Sequence, residues 1–160
     1  MIFVTVGEQL PFDRLVRTVD EWAAESGKQV FAQIGNSELK PSHIEYKRLL
    51  DPNEFRNKML SAEIVVAHAG MGTIISAMEM GKPILIMPRK SSLGEHRNDH
   101  QTATASRFLA LNYVSVAFDE TELAIKLAHL DEVLNNHTER ALPGPNPLLI
   151  QTSRNCIEKK

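Results

Sequence analysis

The chain has 160 residues, of which 42% are hydrophobic and 24% charged, a composition typical of one globular domain with a hydrophobic core. The formal net charge of -2 argues against a nucleic-acid partner, since nucleic-acid binding usually requires a basic face. No apolar run approaches the roughly 18 residues that a membrane-spanning helix needs.

Cysteine content and the N-terminal sequence point to the compartment. The single cysteine, Cys156, excludes a disulfide within the chain and is typical of a reducing environment. The apolar run Ile2–Val6 has no charged segment before it and no cleavage site after it, unlike a secretory signal peptide. We therefore expect a cytoplasmic protein.

Strand-like apolar runs alternate with helical patterns along the first part of the chain. In order, the sequence predicts a strand at Ile2–Val6, a helix that includes Phe12 to Ala23 and ends before Gly27, a strand at Gln29–Ile34, a short strand around Ile44 and Tyr46, and a helix from Asp51. The last helix has a strong start signal, because Asp51-Pro52-Asn53-Glu54 combines a capping acid, an early proline and a capping-box glutamate.

The alternation continues in the second part of the chain. In order, we expect a strand at Ile64–Ala67, a helix at Thr73–Met80, a strand at Ile84–Met87, a helix at Asp99–Leu111, a strand at Tyr113–Ala117 and a helix from Asp119. The run Pro143-Gly144-Pro145-Asn146-Pro147 predicts a stiff connector. The domain is therefore expected to span residues 1–142, and residues 143–160 to form a connector and a C-terminal helix that packs on the domain or on a partner.

The alternation of strands and helices predicts an α/β fold, with a parallel sheet covered by helices on both faces. Ligands of such sheets bind outside the carboxyl ends of the strands. The turns at Gly7, Gly35, Gly70 and Pro88 each follow a predicted strand. We therefore expect these turns to meet at one edge of the sheet and to form the site.

A glycine turn between a strand and a helix is the clearest functional signal. The run His68-Ala69-Gly70-Met71-Gly72-Thr73 follows an apolar strand and opens a helix that stops near Gly81. Glycines let the backbone approach a ligand, and the unpaired amides and dipole of a helix N-terminus favour an anion. The pattern indicates a phosphorylated ligand, most simply a nucleotide.

Other phosphate and metal motifs fit poorly. A P-loop needs Gly-Lys-Ser/Thr, but Lys82 is followed by Pro83. The dinucleotide fingerprint needs a third small residue where Ile75 stands, and an acid about 20 residues further on. His96 and His100 are four residues apart but lack the sequence of a zinc site, so we expect no metal.

Four segments together resemble the family 28 glycosyltransferases, in the C-terminal, nucleotide-sugar-binding half of their GT-B architecture. They are Phe3–Gly7 with Phe12-Asp13 and Leu15, Gln33-Ile34-Gly35, His68–Thr73 through Gly81-Lys82-Pro83, and Pro88-Arg89 with Gly94-Glu95-His96 and His100-Gln101. The likeness runs from the start to about residue 130. It implies a single Rossmann-like domain of the GT-B C-terminal type.

The chain is most similar to short catalytic subunits of two-part transferases. One kind extends the eukaryotic lipid-linked oligosaccharide with UDP-N-acetylglucosamine, and the other makes bacterial exopolysaccharide or capsule. The segment from Pro88-Arg89 through Gly94-Glu95-His96 to His100-Gln101 matches the bacterial kind better. In both kinds a separate, membrane-attached subunit binds the acceptor.

The resemblance implies roles for particular residues. The diphosphate-binding positions are Gly7, His68, Gly70, Met71, Gly72, Thr73, Ser76 and Arg89, and the donor-sugar positions are Glu95, His96, His100 and Gln101. Ser76 stands where larger relatives often carry a ribose-binding glutamate. The acceptor base is either Glu8 or Asp13 in this chain, or a group of the partner.

The resulting hypothesis is an inverting transfer from a UDP-sugar, which is a substrate, so that no cofactor is needed. The implied partners are a membrane-attached acceptor-binding subunit, which recruits the chain to the cytoplasmic face of the membrane, and a polyprenyl-linked glycan acceptor; a homodimer stays open. The alternative is a non-catalytic nucleotide-sugar-binding or regulatory subunit on the same fold. UDP-sugar 2-epimerisation is a weaker alternative, because those enzymes need two domains.

Overall fold

The computed structural model describes residues 1–140. The strands are β1 (Ile2–Thr5), β2 (Val30–Gln33), β3 (Glu45–Lys47), β4 (Ile64–His68), β5 (Ile84–Met87) and β6 (Ser115–Val116). The helices are α1 (Asp13–Ser26), α2 (Pro52–Ser61), α3 (Met71–Glu79), α4 (His100–Ala110), α5 (Glu120–Ala128) and α6 (Leu130–Arg140), with a short 3-10 helix at Ser91–Leu93.

The six strands form one parallel sheet in the order β3-β2-β1-β4-β5-β6. After β1 the chain builds one half of the sheet outward through β2 and β3, then returns to place β4 on the other side of β1. Thr5 is therefore paired with Gln33 on one side and with Ala67 on the other. The strand order reverses between β1 and β4, and sheets of this kind bind ligands at that point.

Alternate residues of the strands point to opposite faces of the sheet and belong to two hydrophobic layers, one on each face. Val4 packs in the layer that contains buried residues of α1, α5 and α6. Phe3 and Val65 pack in the layer that contains buried residues of α2, α3 and α4. The expected parallel α/β sheet with helices on both faces is confirmed.

Helix starts follow the local signals where a side chain caps the helix. The Asp51 carboxylate accepts a hydrogen bond from the Glu54 amide, and the Glu54 carboxylate accepts one from the Asp51 amide, as the sequence predicts. At α5 the Asp119 carboxylate caps the Glu122 amide, but the Glu122 carboxylate accepts from the Phe118 amide instead of completing a box. Both helices therefore begin within a residue of the predicted start.

Three elements differ from the prediction by more than one residue. Helix α3 begins at Met71 rather than Thr73, because Gly70 is extended and acts as the N-cap, which places Gly72 inside the first turn. Strand β6 has only Ser115 and Val116 of the predicted Tyr113–Ala117. The helix predicted from Asp119 is two helices, since His129 leaves helical geometry between α5 and α6.

The Pro143–Pro147 connector, the segment Leu148–Lys160 and Cys156 lie outside the described residues. Within residues 1–140, no helix is both long and apolar enough to cross a bilayer.

Candidate functional site

A cleft of about 310 Å³ lies at the carboxyl ends of β1 and β4, where the strand order reverses. Its lining residues are Val6, Gly7, Glu8, Gln9, Leu10, His68, Gly70, Gly72, Thr73, Arg89, His96 and Gln101. The turn at Gly35 lies beside it, since a Cβ on Gly35 would come within 3.2 Å of the Gly7 carbonyl oxygen. The expected meeting of the four turns is confirmed.

The N-terminus of α3 supplies backbone donors to this cleft. Gly70 gives the helix no side-chain cap, and the Ile74 amide is the first to bond back, to the Gly70 carbonyl at 3.1 Å. The amides of Met71, Gly72 and Thr73 therefore precede the hydrogen-bonded part of the helix. Their partial positive charge and the helix dipole make this end suited to an anion.

Gly70 and Gly72 differ in whether the surrounding structure leaves room for a side chain. A Cβ on Gly70 would lie only 2.2 Å from His68 Cε1, so the imidazole can pack against the turn only because residue 70 is glycine. A Cβ on Gly72 would meet no heavy atom within 4 Å. Packing of the protein therefore does not require glycine at position 72, but a side chain there would narrow the cleft.

His68 forms the inner wall of the cleft with a defined set of contacts. Its Nδ1 lies 2.9 Å from Arg89 Nη1 and 3.2 Å from Gln101 Nε2, while its Nε2 lies 3.4 Å from Thr73 Oγ1. Burial, and then the charges of Arg89 and His96, lower the pKa of His68 to about 3. The imidazole is therefore neutral at physiological pH.

Arg89 follows β5 and is only 3% exposed. Its Nη2 donates to the carbonyl oxygens of Val6 and Leu10, both at 2.6 Å, and its Nη1 points to His68. The guanidinium carbon lies 5.1 Å from the centre of the Phe12 ring. Burial lowers the pKa of Arg89 to about 10, so the group stays charged at neutral pH and ties the loop after β1 to the end of β5.

Gln101, in the first turn of α4, joins the loops that follow β4 and β5. Its Oε1 accepts from the Ala69 amide at 3.2 Å and from the Arg89 amide at 3.1 Å. Its Nε2 donates to His68 Nδ1. This buried amide therefore fixes the spacing of the two turns that shape the cleft.

The sequence and the fold agree with known proteins. The model of the glycosyltransferase family 28 C-terminal domain matches residues 1–143. The chain belongs to this family.

The UDP-N-acetylglucosamine transferase subunit ALG13 of Saccharomyces cerevisiae is 31% identical over 112 residues, which are 62% of this chain and 50% of that protein. The ALG13 protein of Eremothecium gossypii is 38% identical over 69 residues, or 42% of this chain and 32% of that protein. The chain thus spans half or less of these relatives.

Solved structures share the fold. An NMR structure of ALG13 superposes with a TM-score of 0.58 at 20% identity, covering 91% of this chain and 89% of that one. Acinetobacter baumannii MurG gives 0.59 at 15% identity, covering 96% and 49%. Os79 from O. sativa, solved in complex with UDP, gives 0.60 at 14% identity, covering 96% and 40%. At these identities the likeness establishes the Rossmann-like GT-B C-terminal fold.

Within this family domain, Glu95 lies in an ion pair. Its carboxylate accepts from Arg14 Nε at 3.0 Å and Nη2 at 2.8 Å, and from the Lys90 amide at 3.0 Å. The two side chains are only 12% and 14% exposed. The arrangement favours a role in holding the loop before α4 over the predicted sugar contact. Arg14 also donates to Glu120 and to the Pro88 carbonyl. No motif or spacing in the sequence predicts that Arg14 is the partner of Glu95.

The remaining predicted sugar and ribose positions divide into two groups. His96 and Gln101 line the cleft. His100, at the exposed start of α4, and Ser76, in the middle of α3, are not among the lining residues. Met71 packs at the margin of the hydrophobic layer under α3, so only its amide is placed to face a ligand.

Of the two candidate bases, Glu8 lines the cleft and Asp13 does not. Glu8 is exposed and is the carboxylate among the residues that line the cleft. The Asp13 carboxylate lies at the start of α1 and accepts a hydrogen bond from the Ser37 hydroxyl, away from the lining. Among residues 1–140, no group of three or more His, Cys, Asp or Glu side chains is placed to hold a metal ion.

Proposed function

We propose that the cleft binds the diphosphate of a UDP-sugar and that the chain is the donor-binding subunit of an inverting glycosyltransferase. One observation carries this proposal. The uncapped amides of α3 and the His68 side chain lie together where the strand order reverses, and Gly72 leaves the space beside them open. The family membership and the description of the yeast relative as a transferase subunit support it.

The same geometry suits the bond-breaking step. When the sugar leaves UDP, negative charge develops on the β-phosphate. The α3 amides, the Thr73 hydroxyl and His68 are neutral donors at that position, and the Arg89 charge lies directly behind His68. Donors fixed before the reaction stabilise such charge without reorganisation, and removal of one typically costs about 3 kcal/mol in activation free energy.

The acceptor side is supplied by a second protein in this proposal. The partner is a membrane-attached subunit that binds a polyprenyl-linked glycan, and it recruits this chain to the cytoplasmic face of the membrane. The proposal assigns the proton of the acceptor hydroxyl either to Glu8, which lies at the exposed rim of the cleft, or to a base of the partner. Assignment to bacterial exopolysaccharide or capsule synthesis rests on the Pro88-to-Gln101 pattern alone.

Calorimetric titration tests the site. We expect UDP, UDP-N-acetylglucosamine, UDP-galactose or UDP-glucose to bind and NAD not to bind. Thr73→Val removes a hydroxyl group from the cleft. We expect it to lower the affinity for UDP by about tenfold, since one hydrogen bond to a charged group is worth about 1.5 kcal/mol or more. Thr121→Val is the matched control, because Thr121 is exposed in the first turn of α5, outside the cleft lining. Absence of UDP binding in the presence of the partner would contradict the proposal.

The non-catalytic alternative keeps the same site but performs no transfer. It is favoured by the fact that Glu8 is the sole carboxylate among the cleft-lining residues and is exposed to solvent. Release of UDP from a UDP-sugar in the presence of partner and lipid-linked acceptor separates the two functions. Transfer that is lost in Glu8→Gln assigns the base to this chain, whereas binding without transfer supports the regulatory subunit.

A further inference from the structure

We infer that Arg89 and Gln101 are positioning residues that hold His68 as a neutral imidazole with its proton on Nε2, so that this N–H is a fixed donor into the cleft. The proton position follows from contacts within the protein. Only the identity of the acceptor, a phosphate oxygen, rests on the proposed function.

The contacts at Nδ1 decide where the proton lies. Arg89 Nη1, at 2.9 Å, carries only donor hydrogens. The orientation of the Gln101 amide is also fixed, because its oxygen accepts from the backbone amides of Ala69 and Arg89, which leaves the nitrogen toward His68 at 3.2 Å. With two donors directed at it, Nδ1 must be the acceptor, and the single hydrogen of the neutral ring must be on Nε2.

Nε2 lies between the two loops that form the cleft. It is 3.4 Å from Thr73 Oγ1, at the start of α3. A Cβ on Gly7 would lie 3.1 Å from it, and a Cβ on Gly70 would lie 2.7 Å from it. With its hydrogen on Nε2, His68 donates within the protein to Thr73 Oγ1, a weak contact at 3.4 Å. The same N–H borders the cleft between the β1 and β4 loops, where a stronger acceptor can take its place.

The charged and titratable groups around His68 oppose its protonation. Arg89 faces it from the end of β5, and His96 from the loop before α4. Glu8 lies on the exposed rim of the cleft, and Glu95 is held by Arg14. Desolvation and the Arg89 charge thus keep Nδ1 unprotonated and lower the pKa of His68 to about 3, so the donor is unchanged over the physiological pH range.

Gln101→Glu tests the positioning role with little change of shape. The new carboxylate still accepts from the Ala69 and Arg89 amides, but it replaces the donor at His68 Nδ1 by an acceptor. It should therefore favour a proton on Nδ1. Gln9→Glu is the matched control, because Gln9 lines the same cleft and is exposed, while the hydrogen-bond partners of the His68 ring are Thr73, Arg89 and Gln101.

The measurement is a long-range ¹H–¹⁵N correlation spectrum of ligand-free, histidine-labelled protein from about pH 5 to about pH 8, the range in which an ordinary histidine titrates. His68→Gln identifies the His68 signals by their loss. We expect wild type and Gln9→Glu to show the Nε2–H tautomer throughout, and Gln101→Glu to titrate within this range. UDP affinity of Gln101→Glu should then fall as the pH rises, by about tenfold for the loss of one donor to a charged ligand.

Two results would overturn the inference. An Nδ1–H tautomer or titration of His68 in the wild type refutes the proton assignment, and the wild-type spectrum decides this even if the variant does not fold. An Nε2–H signal that persists unchanged in folded Gln101→Glu refutes the positioning role. Neither spectrum needs a ligand, so a wild-type protein with the expected spectrum but no UDP binding would reject the proposed function and leave this inference standing.

Discussion

Mild acidification should destabilise the protein through His68 in particular. The folded state keeps this imidazole neutral, with its pKa lowered to about 3 by burial and by Arg89 and His96. The unfolded chain takes up a proton near the ordinary histidine pKa of about 6.5. Between these two values the unfolded state binds more protons than the native state, so the free energy of unfolding falls as the pH falls.

The size of the effect follows from the same two values. At about pH 5.5, one unit below the unfolded pKa, the contribution is ~1.4 kcal/mol relative to about pH 7.5. For a domain of this size, ~1.4 kcal/mol corresponds to a fall in Tm of about 3–6 °C. The carboxyls of Asp99 and Glu120 have lowered pKa values, so the stability they add is lost only at more acidic pH.

Urea unfolding at the two pH values measures, for each variant, how much the free energy of unfolding falls on acidification. His68→Gln keeps a polar side chain that can accept from Arg89 but has no proton to gain. Its stability is expected to drop by ~1.4 kcal/mol less than that of the wild type over this interval. His129→Gln, which removes an exposed histidine at the junction of α5 and α6, is the control and should follow the wild type.

Equal losses in the wild type and in His68→Gln would refute the reasoning. That result would mean that native His68 accepts a proton as readily as the unfolded chain does. The two donors at Nδ1, the Arg89 guanidinium and the Gln101 amide, would then not keep the imidazole neutral.

Three further changes test other parts of the structure. Gly72→Ala adds a methyl group that meets no atom within 4 Å; it should raise the free energy of unfolding by up to ~1 kcal/mol, through helix propensity, while calorimetry shows weaker UDP binding. Asp51→Ala removes the α2 capping box and should lower stability by ~1 kcal/mol in urea unfolding, with UDP affinity unchanged. Glu95→Gln breaks the paired hydrogen bonds to Arg14 and should lower stability by ~1–3 kcal/mol, with faster amide exchange in the 3-10 segment beside it.

The features that could be predicted from sequence are those with local causes. The Asp51 box is determined by neighbours a few positions away, and the structure has it where expected. The glycine turn is also local in origin, although α3 begins at Met71, two residues before the predicted start. The α/β alternation also suffices to predict the sheet edge that forms the cleft. The division between α5 and α6 was missed because residues 120–139 have continuous helical composition, and only packing shows that the chain turns at His129.

The side chains at the site bond to residues that are far away in the sequence, so local patterns do not predict these partners. Arg89 was a candidate phosphate ligand because an arginine after a strand suits an anion, but its guanidinium bonds to Val6, 83 positions away. Glu95 was a candidate sugar ligand, but its partner Arg14 is 81 positions away. Residue type and local spacing are the same for an arginine that contacts phosphate and for one that supports the wall behind it, so only the fold separates the two roles.

That separation has a chemical consequence for the cleft. An exposed arginine in contact with the diphosphate would bind it strongly before and after transfer, so that the product UDP would leave slowly. In the proposed site the groups assigned to the diphosphate, namely the α3 amides, the Thr73 hydroxyl and His68, are neutral donors. The one cation among the cleft-lining residues, Arg89, is buried and shared with two carbonyl oxygens and His68. Fixed neutral donors respond to the charge that develops on the leaving phosphate, because hydrogen bonds to a charged acceptor are stronger than those to a neutral one. In this proposal the buried charge of Arg89 therefore acts through the orientation of His68 rather than through an ion pair with the substrate.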